Sequence, residues 1–299
     1  MLILGIETSC DETSAAVVGD VGEGGRLVAL SNIVASQIDT HRLYGGVVPE
    51  IAGRAHIEAI SNVVERALAE AKVEISDLDG VAVTTHPGLI GALLVGVNFA
   101  KAFAFANKLP LISVNHIHAH TAASYLTETP PKPPYLSLVV SGGHTSFYLV
   151  KSYTEYVELG GTRDDAAGEA FDKVARILGL PYPGGIHIDA LAKEGNPDAF
   201  KFSSVLDSED NYDFSFSGVK TAVINLVHTL EQKGQEIPKA DIAASFQAFV
   251  VRMLVHKALL ACKNANINKL VLAGGVASNS DLREKMTEKC KKYGINVVY

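Results

Sequence analysis

Residues 135–150 read YLSLVVSGGHTSFYLV, an apolar run, a polar turn over Ser141–Thr145 and a second apolar run. Two strand-like runs joined by a short glycine-containing turn are typical of a β-hairpin. The N-terminus has the same plan, because the apolar runs Leu2–Ser9 and Ser14–Val18 are joined by the polar turn Cys10–Thr13. Both turns end in Thr-Ser before the return strand. The repetition predicts two copies of one structural unit.

Each hairpin is followed by a third strand-like run and then by a stretch with apolar residues at helical spacing. In the first copy these are 26–35 and 49–71, and in the second copy 156–160 and 165–178. The later elements alternate between strands and helices. Their expected bounds are 80–85 (strand), 89–107 (helix), 111–114 (strand), 240–266 (helix), 269–273 (strand) and 280–292 (helix). Three antiparallel strands and then helix–strand alternation, twice, predict a duplicated α/β fold.

The Pro-rich segment Thr129–Pro134 marks the expected boundary between the copies. Prolines at this density interrupt regular structure and are typical of a linker. We therefore predict two domains, residues 1–130 and 131–299, with a ligand in the central cleft between them. The length of 299 residues agrees, because single cores stop growing at about 250–300 residues.

The composition is that of a globular protein, with 47% hydrophobic and 20% charged residues. With a net charge of −7, the chain lacks the overall basic field of a stand-alone nucleic-acid binder. Any nucleic acid would therefore have to bind at a local basic patch or through a partner. Three scattered cysteines, Cys10, Cys262 and Cys290, argue against a disulfide framework or a thiolate metal cage. They indicate a reducing, cytoplasmic compartment.

Neither a signal peptide nor a membrane span is predicted. The first residues lack a basic leader, and Glu7 interrupts their apolar run, which is typical of a first strand. The uncharged stretch 80–100 is nearly long enough to span a bilayer, but Thr84–Gly88 divides it into a strand and a helix. We therefore expect no membrane contact.

His116 and His120 are the candidate metal ligands. They lie four residues apart directly after the apolar run 111–114, and this spacing on a helix presents two imidazoles on one face. Ordinary polar residues at a strand–helix junction are the alternative. Ile117 stands where an HExxH metalloprotease has its glutamate, which disfavours proteolysis. His118 is turned away by roughly 200° and cannot join the pair.

Two glycine turns are candidate phosphate cradles. Ser141-Gly142-Gly143 can offer consecutive backbone N–H groups, because glycine allows close approach and unusual dihedrals. Gly274-Gly275 lies where a strand leads into a helix, which also exposes backbone donors. Neither a Walker A motif nor a Rossmann fingerprint is present. A plain hairpin turn is the alternative for the first of them.

Seven motifs, in order, resemble those of a known family over essentially the whole chain. They are ETSCDET (7–13), NHIHAH (115–120), SGGHT (141–145), DDAAGEAFDK (164–173), YPGG (182–185), FSFSGVK (214–220) and GGVASN (274–279). The chain resembles the tRNA N6-adenosine threonylcarbamoyltransferases, the TsaD family, formerly called O-sialoglycoprotein endopeptidases. One such motif is a weak signal, whereas seven at family spacing are specific.

The resemblance implies a duplicated actin-like ATPase fold (ASKHA, RNase H-like). It also implies transfer of the threonylcarbamoyl group from threonylcarbamoyl-AMP to the exocyclic amine of adenosine 37, in tRNAs that read codons beginning with A. ATP or ADP is expected as a nucleotide ligand. The implied partners are tRNA, a TsaB-like paralogue, a TsaE-like ATPase and a synthase that makes the adenylate.

The family's residues carry over by position. His116 and His120 match its iron or zinc ligands, one divalent metal per subunit. Its substrate loop and adenylate contacts match Val139, Val140, Ser141, Gly142, Gly143, Asp172, Gly185 and Asn279. In the family a strand precedes a short Asp-Asn-Gly/Ala-Met helix whose Asp is the third metal ligand, and this sequence ends at Tyr299 before that segment. Two histidines alone are expected to hold the metal more weakly.

Three charged residues within these motifs are further candidates for the site. Asp11 and Glu12, on the first hairpin tip, could accept the proton that the attacking amine loses or orient the metal shell, with a solvated turn as the alternative. Lys173 could neutralise phosphate charge, with a helix-surface lysine as the alternative.

Two basic clusters are candidates for contact with tRNA. The first comprises His41 and Arg42, which are expected on a loop before the first long helix. The second lies on the final helix and comprises Lys285, Lys289, Lys291 and Lys292. For these lysines a solvated helix face is the alternative.

Two other functions fit a fold of this class. An actin-fold kinase or carbamoyltransferase would use ATP, and a kinase would hold magnesium through carboxylates without paired histidines. A non-catalytic scaffold paralogue would keep the fold and lose the site. The histidine pair and the two glycine turns favour the transferase.

Overall fold

The structure is a computed structural model that describes residues 1–21, 23–203 and 211–299. The chain divides into two compact units, Met1–Thr129 and Pro130–Tyr299. Each unit contains one mixed β-sheet with helices packed against it.

The first unit contains a sheet in the order β3-β2-β1-β5-β6, with β4 also paired to β2. Its strands are β1 (Leu2–Glu7), β2 (Glu12–Gly19), β3 (Val28–Ala29), β4 (Ile33–Ser36), β5 (Gly80–His86) and β6 (Leu111–Asn115). Its helices are α1 (Ile38–Arg42), α2 (Pro49–Ala71), α3 (Ile90–Asn107) and α4 (His116–Ala122). β1 is antiparallel to β2 and parallel to β5.

The second unit contains a sheet in the order β9-β8-β7-β10-β11. Its strands are β7 (Tyr135–Val140), β8 (Thr145–Val150), β9 (Tyr156–Gly161), β10 (Lys269–Ala273) and β11 (Asn296–Val298). Its helices are α5 (Ala167–Ile177), α6 (Gly184–Ala192), α7 (Ser217–Gln232), α8 (Lys239–Ala265) and α9 (Ser280–Lys292). β7 is antiparallel to β8 and parallel to β10.

The two sheets have the same topology, which confirms the predicted duplicated α/β fold. In each, an antiparallel hairpin (β1–β2, β7–β8) gains a third antiparallel strand on one side. On the other side two parallel strands follow (β5–β6, β10–β11). Parallel strands need a long crossover, and α3 and α9 supply it. The hairpin tip and the end of the first parallel strand therefore lie at one edge of each sheet.

Each sheet buries apolar side chains under its own helices. In the first unit α2 contributes Ile60, Val63 and Val64 at helical spacing, and they pack on strand residues such as Leu4 and Val17. In the second unit α8 runs through the core and is buried around most of its circumference. The regularly spaced apolar residues that predicted these helices are thus the ones that pack against the sheet.

Two local expectations were wrong. His41 and Arg42 lie in the short helix α1 and not on a loop, and His41 is fully buried, so it offers no basic surface. The strand expected over 26–35 is split into β3 and β4. The break occurs where the buried Ser31 side chain accepts a hydrogen bond from Val17 N–H at 3.0 Å, in place of a backbone carbonyl.

Two helices are long and apolar enough to cross a membrane by length and composition alone, α3 and α8. α8 is mostly buried inside the second unit, as expected of a core helix in a soluble protein. α3 is largely exposed, with Ile90, Leu94 and Phe105 facing solvent. The absence of a membrane span stays a prediction.

Candidate functional site

The two histidines of the NHIHAH motif are placed by a capped helix. Asn115 ends β6, and its Oδ1 accepts hydrogen bonds from Ile117 N–H at 2.8 Å and His118 N–H at 3.2 Å. Such a side-chain cap satisfies donors that a helix start leaves unpaired. α4 therefore begins at His116, as predicted, and His120 follows one turn later on the same face.

The imidazoles of His116 and His120 face each other. Their Nε2 atoms are 3.2 Å apart, and the rings meet edge to face with centroids 4.6 Å apart. They border a cavity of about 550 Å³ in the first unit. Its floor is formed by small residues of β1, β2 and β5, including Gly5, Ala16 and Ala82.

This spacing fits one divalent metal. Two imidazole nitrogens at about 2.0–2.1 Å from a tetrahedral zinc ion are separated by about 3.3 Å. The observed 3.2 Å between the two Nε2 atoms agrees. Among the residues that the structure describes, no group of three or more His, Cys, Asp or Glu side chains is placed to hold a metal. The histidine pair can therefore supply two ligands of a larger set.

Glu7 fixes the orientation of His116. Its Oε2 lies 3.1 Å from His116 Nδ1 and accepts a 2.6 Å hydrogen bond from Thr84 Oγ1. Its Oε1 accepts from Ser9 N–H, and Ser9 Oγ also lies 3.1 Å from His116 Nδ1. A carboxylate at Nδ1 places the ring proton there and leaves the Nε2 lone pair for a metal.

The hydrogen bonds to Glu7 also keep it charged. Its burial by itself would raise the pKa, but the bonds from His116, Ser9 and Thr84 outweigh that effect and lower the pKa to about 2. An ionised carboxylate behind the histidine makes its other nitrogen a better metal ligand. Glu7 was not among the predicted site residues, although a carboxylate that ends an apolar strand was a visible signal.

His118 does not belong to the pair. It is half-buried, and its burial together with the nearby His86 lowers its pKa, so the neutral ring is favoured. His116 and His120 line the cavity of the first unit, whereas His118 is not among its lining residues.

Asp11 and Glu12 lie at the tip of the first hairpin. Asp11 is half-buried, whereas most of the surface of Glu12 is exposed to solvent. Partial burial of the Glu12 carboxylate raises its pKa, and the charges of Asp11 and Glu7 add to the shift. A carboxylate with a raised pKa is a better proton acceptor. Of these two charges, Glu7 is also the carboxylate that contacts His116.

The second unit contains a separate cavity of about 410 Å³. Of the predicted substrate residues, Gly142, Asp172, Gly185 and Asn279 line it. Its remaining walls are Gly168, Phe171, Tyr182, Pro183, Ile186, Asp189, Gly275, Val276 and Ser278. Val139 and Val140 are fully buried in β7, on opposite faces of the sheet, so only their backbone can serve a ligand.

The turn at Ser141 has a fixed backbone. Ser141 N–H donates to His144 O at 2.7 Å, and Ser141 O accepts from Gly168 N–H at 3.2 Å. Gly142 and Gly143 have no positive φ, and a Cβ at either would meet nothing within 4 Å. Neither glycine therefore adopts the left-handed conformation that glycine makes available. The open space beside them is what a ligand's close approach requires.

At position 274 the backbone conformation does require glycine. Its φ is +91°, and a Cβ there would collide with the Val140 carbonyl at the end of β7. This close contact lets the second glycine turn enter the cavity wall through Gly275 and Val276.

Adjacent glycines at the start of α6 have different roles. Gly184 N–H donates to Asp172 Oδ1 at 2.7 Å, and a Cβ on Gly184 would collide with Ala175 Cβ. A Cβ on Gly185 would meet nothing, and Gly185 lines the cavity. The first glycine therefore lets α6 pack on α5, and the second leaves room at a helix N-terminus, where backbone N–H groups favour anions.

Asn279 is held in a polar network. Its Oδ1 caps α9 by accepting from Leu282 N–H at 2.9 Å, and its Nδ2 donates to Gln247 Oε1 at 2.8 Å. Gln247 in turn donates to Asp189 Oδ1 at 3.1 Å, and Ser280 Oγ donates to the same oxygen at 2.9 Å. Asp189 was not predicted, although it lies one helical turn after Gly185.

Lys173 is engaged in ion pairs. Its Nζ lies 2.9 Å from Asp165 Oδ1 and 2.7 Å from Glu169 Oε1. Hydrogen bonds to Glu169 and Asp165 raise its pKa. Lys220 Nζ also binds Asp165, at 2.6 Å. These contacts favour a structural role for Lys173, which binds Asp165 and Glu169 near the start of α5, over the neutralisation of phosphate.

A family model described as TsaD, tRNA N6-adenosine threonylcarbamoyltransferase, matches residues 28–299. This chain belongs to that family. A tRNA N6-adenosine threonylcarbamoyltransferase from Clostridium botulinum is 56% identical over 296 residues, which are 99% of this chain and 86% of the relative. As a member of the TsaD family, the chain is a transferase that acts in tRNA modification, as the resemblance implied.

Solved structures agree on the fold. HypF, in a phosphate- and nucleotide-bound form, matches 99% of this chain and 52% of its own length with a TM-score of 0.63 and 17% identity. The ROK hexokinase of Thermus thermophilus matches 99% of this chain and 92% of its own with a TM-score of 0.53 and 15% identity. At such identities the likeness shows the fold alone, and it confirms the predicted actin-like ATPase fold.

Proposed function

We propose that this chain transfers the threonylcarbamoyl group from threonylcarbamoyl-AMP to the exocyclic amine of adenosine 37, in tRNAs that read codons beginning with A. The observation that carries the proposal is the pair of Nε2 atoms of His116 and His120, 3.2 Å apart, with Glu7 behind His116. It stands in a chain whose family is named for this transfer. A kinase of the same fold would hold magnesium through oxygen ligands instead.

The cavity of the second unit suits the nucleoside part of the adenylate. Phe171, Tyr182 and Val276 give it apolar walls, which a purine base can contact. Asp172 and Asp189 add carboxylates, the groups that commonly bind ribose hydroxyls. ATP or ADP would be accepted by the same surfaces.

The phosphate is expected at the glycine backbone. Gly142 and Gly185 both line the cavity and both have open space where a Cβ would stand. Gly185 lies in the first turn of α6, where backbone N–H groups and the helix dipole favour an anion. The substrate-loop residues Val139, Val140, Ser141 and Gly143 would act by placing Gly142.

His116 and His120 would hold one iron or zinc ion through their Nε2 atoms. When bound, the metal would polarise the threonylcarbamoyl carbonyl as a Lewis acid. Glu7 keeps the His116 proton on Nδ1, and Thr84 and Ser9 keep Glu7 in place. These contacts orient His116 before any metal binds.

The acidic tip would accept the proton of the reaction. The amine nitrogen of adenosine attacks the carbamoyl carbon, a C–N bond forms, the C–O bond to phosphate breaks, and AMP leaves with the bonding electron pair. The amine must also lose one proton. We assign it to the tip carboxylates Asp11 and Glu12, of which Glu12 has the raised pKa.

Partners are proposed from the family and from the surface. The family relationship supports tRNA, a TsaB-like paralogue, a TsaE-like ATPase and a synthase for the adenylate. The exposed apolar residues Ile90, Leu94 and Phe105 of α3 support a protein partner for this helix. The exposed Lys101 near the middle of α3 argues against a membrane.

A reducing, cytoplasmic location is proposed from the cysteines. Cys10, Cys262 and Cys290 are all free thiols. Cys262 and Cys290 are buried, and burial raises the pKa of each thiol, to about 12 and about 11 respectively. Thiols of this kind are unreactive core residues, as expected where disulfides do not form.

The test combines metal binding with transfer. Zinc and iron stoichiometry is measured for the wild type, His116→Ala and the control His118→Ala, and transfer is followed with threonylcarbamoyl-AMP, tRNA and partner proteins. We expect about one metal ion per chain in the wild type and in the His118→Ala control, and we expect transfer to depend on the bound metal. Phosphorylation of a small molecule from ATP, with no modification of tRNA, would favour the kinase.

A further inference from the structure

Three consecutive carbonyls at the first hairpin tip accept hydrogen bonds from three different elements. Ser9 O accepts from Leu89 N–H at 2.8 Å, Cys10 O from His56 Nε2 at 3.0 Å, and Asp11 O from Gln37 N–H at 3.0 Å. The middle bond is the one made by a side chain. It can therefore be removed by a substitution that leaves the tip's own sequence unchanged.

His56 has a defined tautomer. Because a carbonyl can only accept, Nε2 carries the proton that is donated to Cys10 O. Nδ1 must then accept, and the Thr13 hydroxyl lies 2.7 Å from it. Both residues are fully buried. Burial lowers the pKa of His56, although the Cys10 carbonyl works in the opposite direction, so the ring is held neutral.

The chain of hydrogen bonds continues away from the tip with one consistent direction. Val48 N–H donates to His41 Nδ1 at 3.3 Å, which leaves His41 Nε2 to donate to Gln37 Oε1 at 3.1 Å. Gln37 Nε2 lies 3.5 Å from His56 Nδ1. Every donor points toward the tip, and aligned hydrogen bonds polarise one another. The chain begins at one backbone amide and ends at the carbonyl of Cys10.

We propose that His56 is a positioning residue, which holds the Cys10 carbonyl so that the carboxylates of Asp11 and Glu12 keep the orientation that proton transfer requires. The inference rests on the proposed function, because it gives the tip acids their role as proton acceptors. His56 itself touches neither substrate nor metal ligand. Its effect is transmitted through one peptide group, directly before Asp11.

The contact explains why a polar ring is buried under a hairpin turn. Two of the three bonds to the tip come from backbone amides, of Leu89 and Gln37, and they persist whatever side chains stand there. The His56 bond lies between them and fixes the peptide plane from which Asp11 departs. A misplacement of about 1 Å at a reacting group can lower a rate by about 100-fold.

The first experiment measures the tip directly. Hydrogen–deuterium exchange of a peptide spanning residues 8–14 is compared in wild type, His56→Leu and His56→Gln. Leucine fills the volume without a donor, whereas glutamine retains an amide donor for the Cys10 carbonyl. We expect exchange about tenfold faster in His56→Leu and near wild type in His56→Gln. Unchanged exchange in His56→Leu would overturn the proposal.

His41→Leu is the matched control. His41 is as buried as His56 and belongs to the same hydrogen-bond chain, but it lies three hydrogen bonds from the Cys10 carbonyl. We expect His41→Leu to lose stability while the tip exchanges as in the wild type. Equal exchange at the tip in His41→Leu and His56→Leu would show a general structural role and would overturn the assignment. If His56→Leu does not fold, His56→Met, which also fills the volume without a donor, takes its place, with the same expected exchange.

The second experiment separates kcat from KM in the complete transferase with its partners. We expect kcat to fall about 10- to 100-fold in His56→Leu and to recover in His56→Gln, with KM for the adenylate unchanged because its cavity belongs to the second unit. A normal kcat in folded His56→Leu would contradict the proposal. If wild type transfers nothing, the proposed function fails, and the exchange data still decide whether His56 holds the tip.

Discussion

His116 Nδ1 lies 3.1 Å from Glu7 Oε2, so the first candidate ligand is anchored to a carboxylate on another element. The two residues are 109 positions apart in the chain. β1 supplies the carboxylate and the first turn of α4 supplies the imidazole, and both stand at one edge of the same sheet. The arrangement matches the carboxylate–histidine pairs that orient metal ligands.

Replacing Glu7 tests that anchoring. Glu7→Gln keeps the shape of the side chain and removes its charge, so we expect zinc affinity to fall by about 10- to 100-fold while the fold persists. Competition with a chromogenic chelator measures the affinity. Glu58→Gln, at an exposed position of α2, is the control. Wild-type affinity in Glu7→Gln would show that the contact has no influence on the metal.

The histidines themselves should be more sensitive. His116→Ala or His120→Ala removes one of two ligands and no large core group, and we expect loss of metal and of tRNA modification with the circular dichroism spectrum retained. His118→Ala should be milder, because His118 is not part of the pair. Metal analysis and a modification assay are made on the same samples. Equal losses in all three variants would contradict the pairing of His116 with His120.

Local patterns predicted the fold well. The helix expected over 49–71 is α2, Pro49–Ala71, because proline is well suited to a first helical turn and the apolar spacing continues to the end. The strand expected over 135–140 is β7. Glycine at the turn and uninterrupted apolar runs made these segments unambiguous. In contrast, α1 has five residues and too little periodicity to be seen.

The sequence named candidate site residues only within recognisable motifs. The i, i+4 spacing of His116 and His120 is a local signal, and it placed both side chains on one face. Glu7 behind His116 and Asp189 behind Gln247 depend on contacts across 109 and 58 positions, which no local pattern encodes. The same holds for His56, whose partner Cys10 O is 46 positions away.

The two glycines that begin α6 should respond differently to a side chain. Gly184→Ala would place a Cβ against Ala175 and should lower the free energy of unfolding by about 1–3 kcal/mol through overpacking. The Cβ of Gly185→Val would meet no protein atom within 4 Å, so this variant should fold, but it should weaken the binding of ATP or an adenylate analogue. Thermal unfolding and calorimetry distinguish these effects. Normal nucleotide binding in Gly185→Val would exclude this helix start as the phosphate site.

Asn279 should matter for stability as well as for the ligand. Asn279→Ala removes the cap on Leu282 N–H and the bond to Gln247, so we expect about 0.5–2 kcal/mol of lost stability in addition to weaker nucleotide binding. Asn279→Ser keeps a capping oxygen and should recover most of the stability. Urea unfolding measures the first effect and calorimetry the second. If Asn279→Ser recovers neither the stability nor the nucleotide binding, then helix capping is not the main contribution of Asn279.

Binding of tRNA should depend on partners. The net charge of −7 opposes approach of a polyanion, and phosphate neutralisation by Lys and Arg supplies most of the non-specific affinity. On α9, Lys285 pairs with Asp281 at 2.9 Å and Lys292 with Glu288 at 2.6 Å, which reduces the positive charge available there. His41 is buried, so the other expected patch is reduced to Arg42.

We therefore expect weak binding by the isolated chain and tighter, salt-dependent binding by the complex with its partners. Labelled tRNA is titrated against both at several salt concentrations, and the slope of log affinity against log salt counts the phosphates neutralised. Lys289→Glu and Lys291→Glu, at exposed positions of α9, serve to locate any contribution of this helix. Tight, steeply salt-dependent binding by the isolated chain would overturn this prediction. In that case the reversal of these lysines should reduce the slope, since the final helix would then be the positive surface that contacts the phosphates.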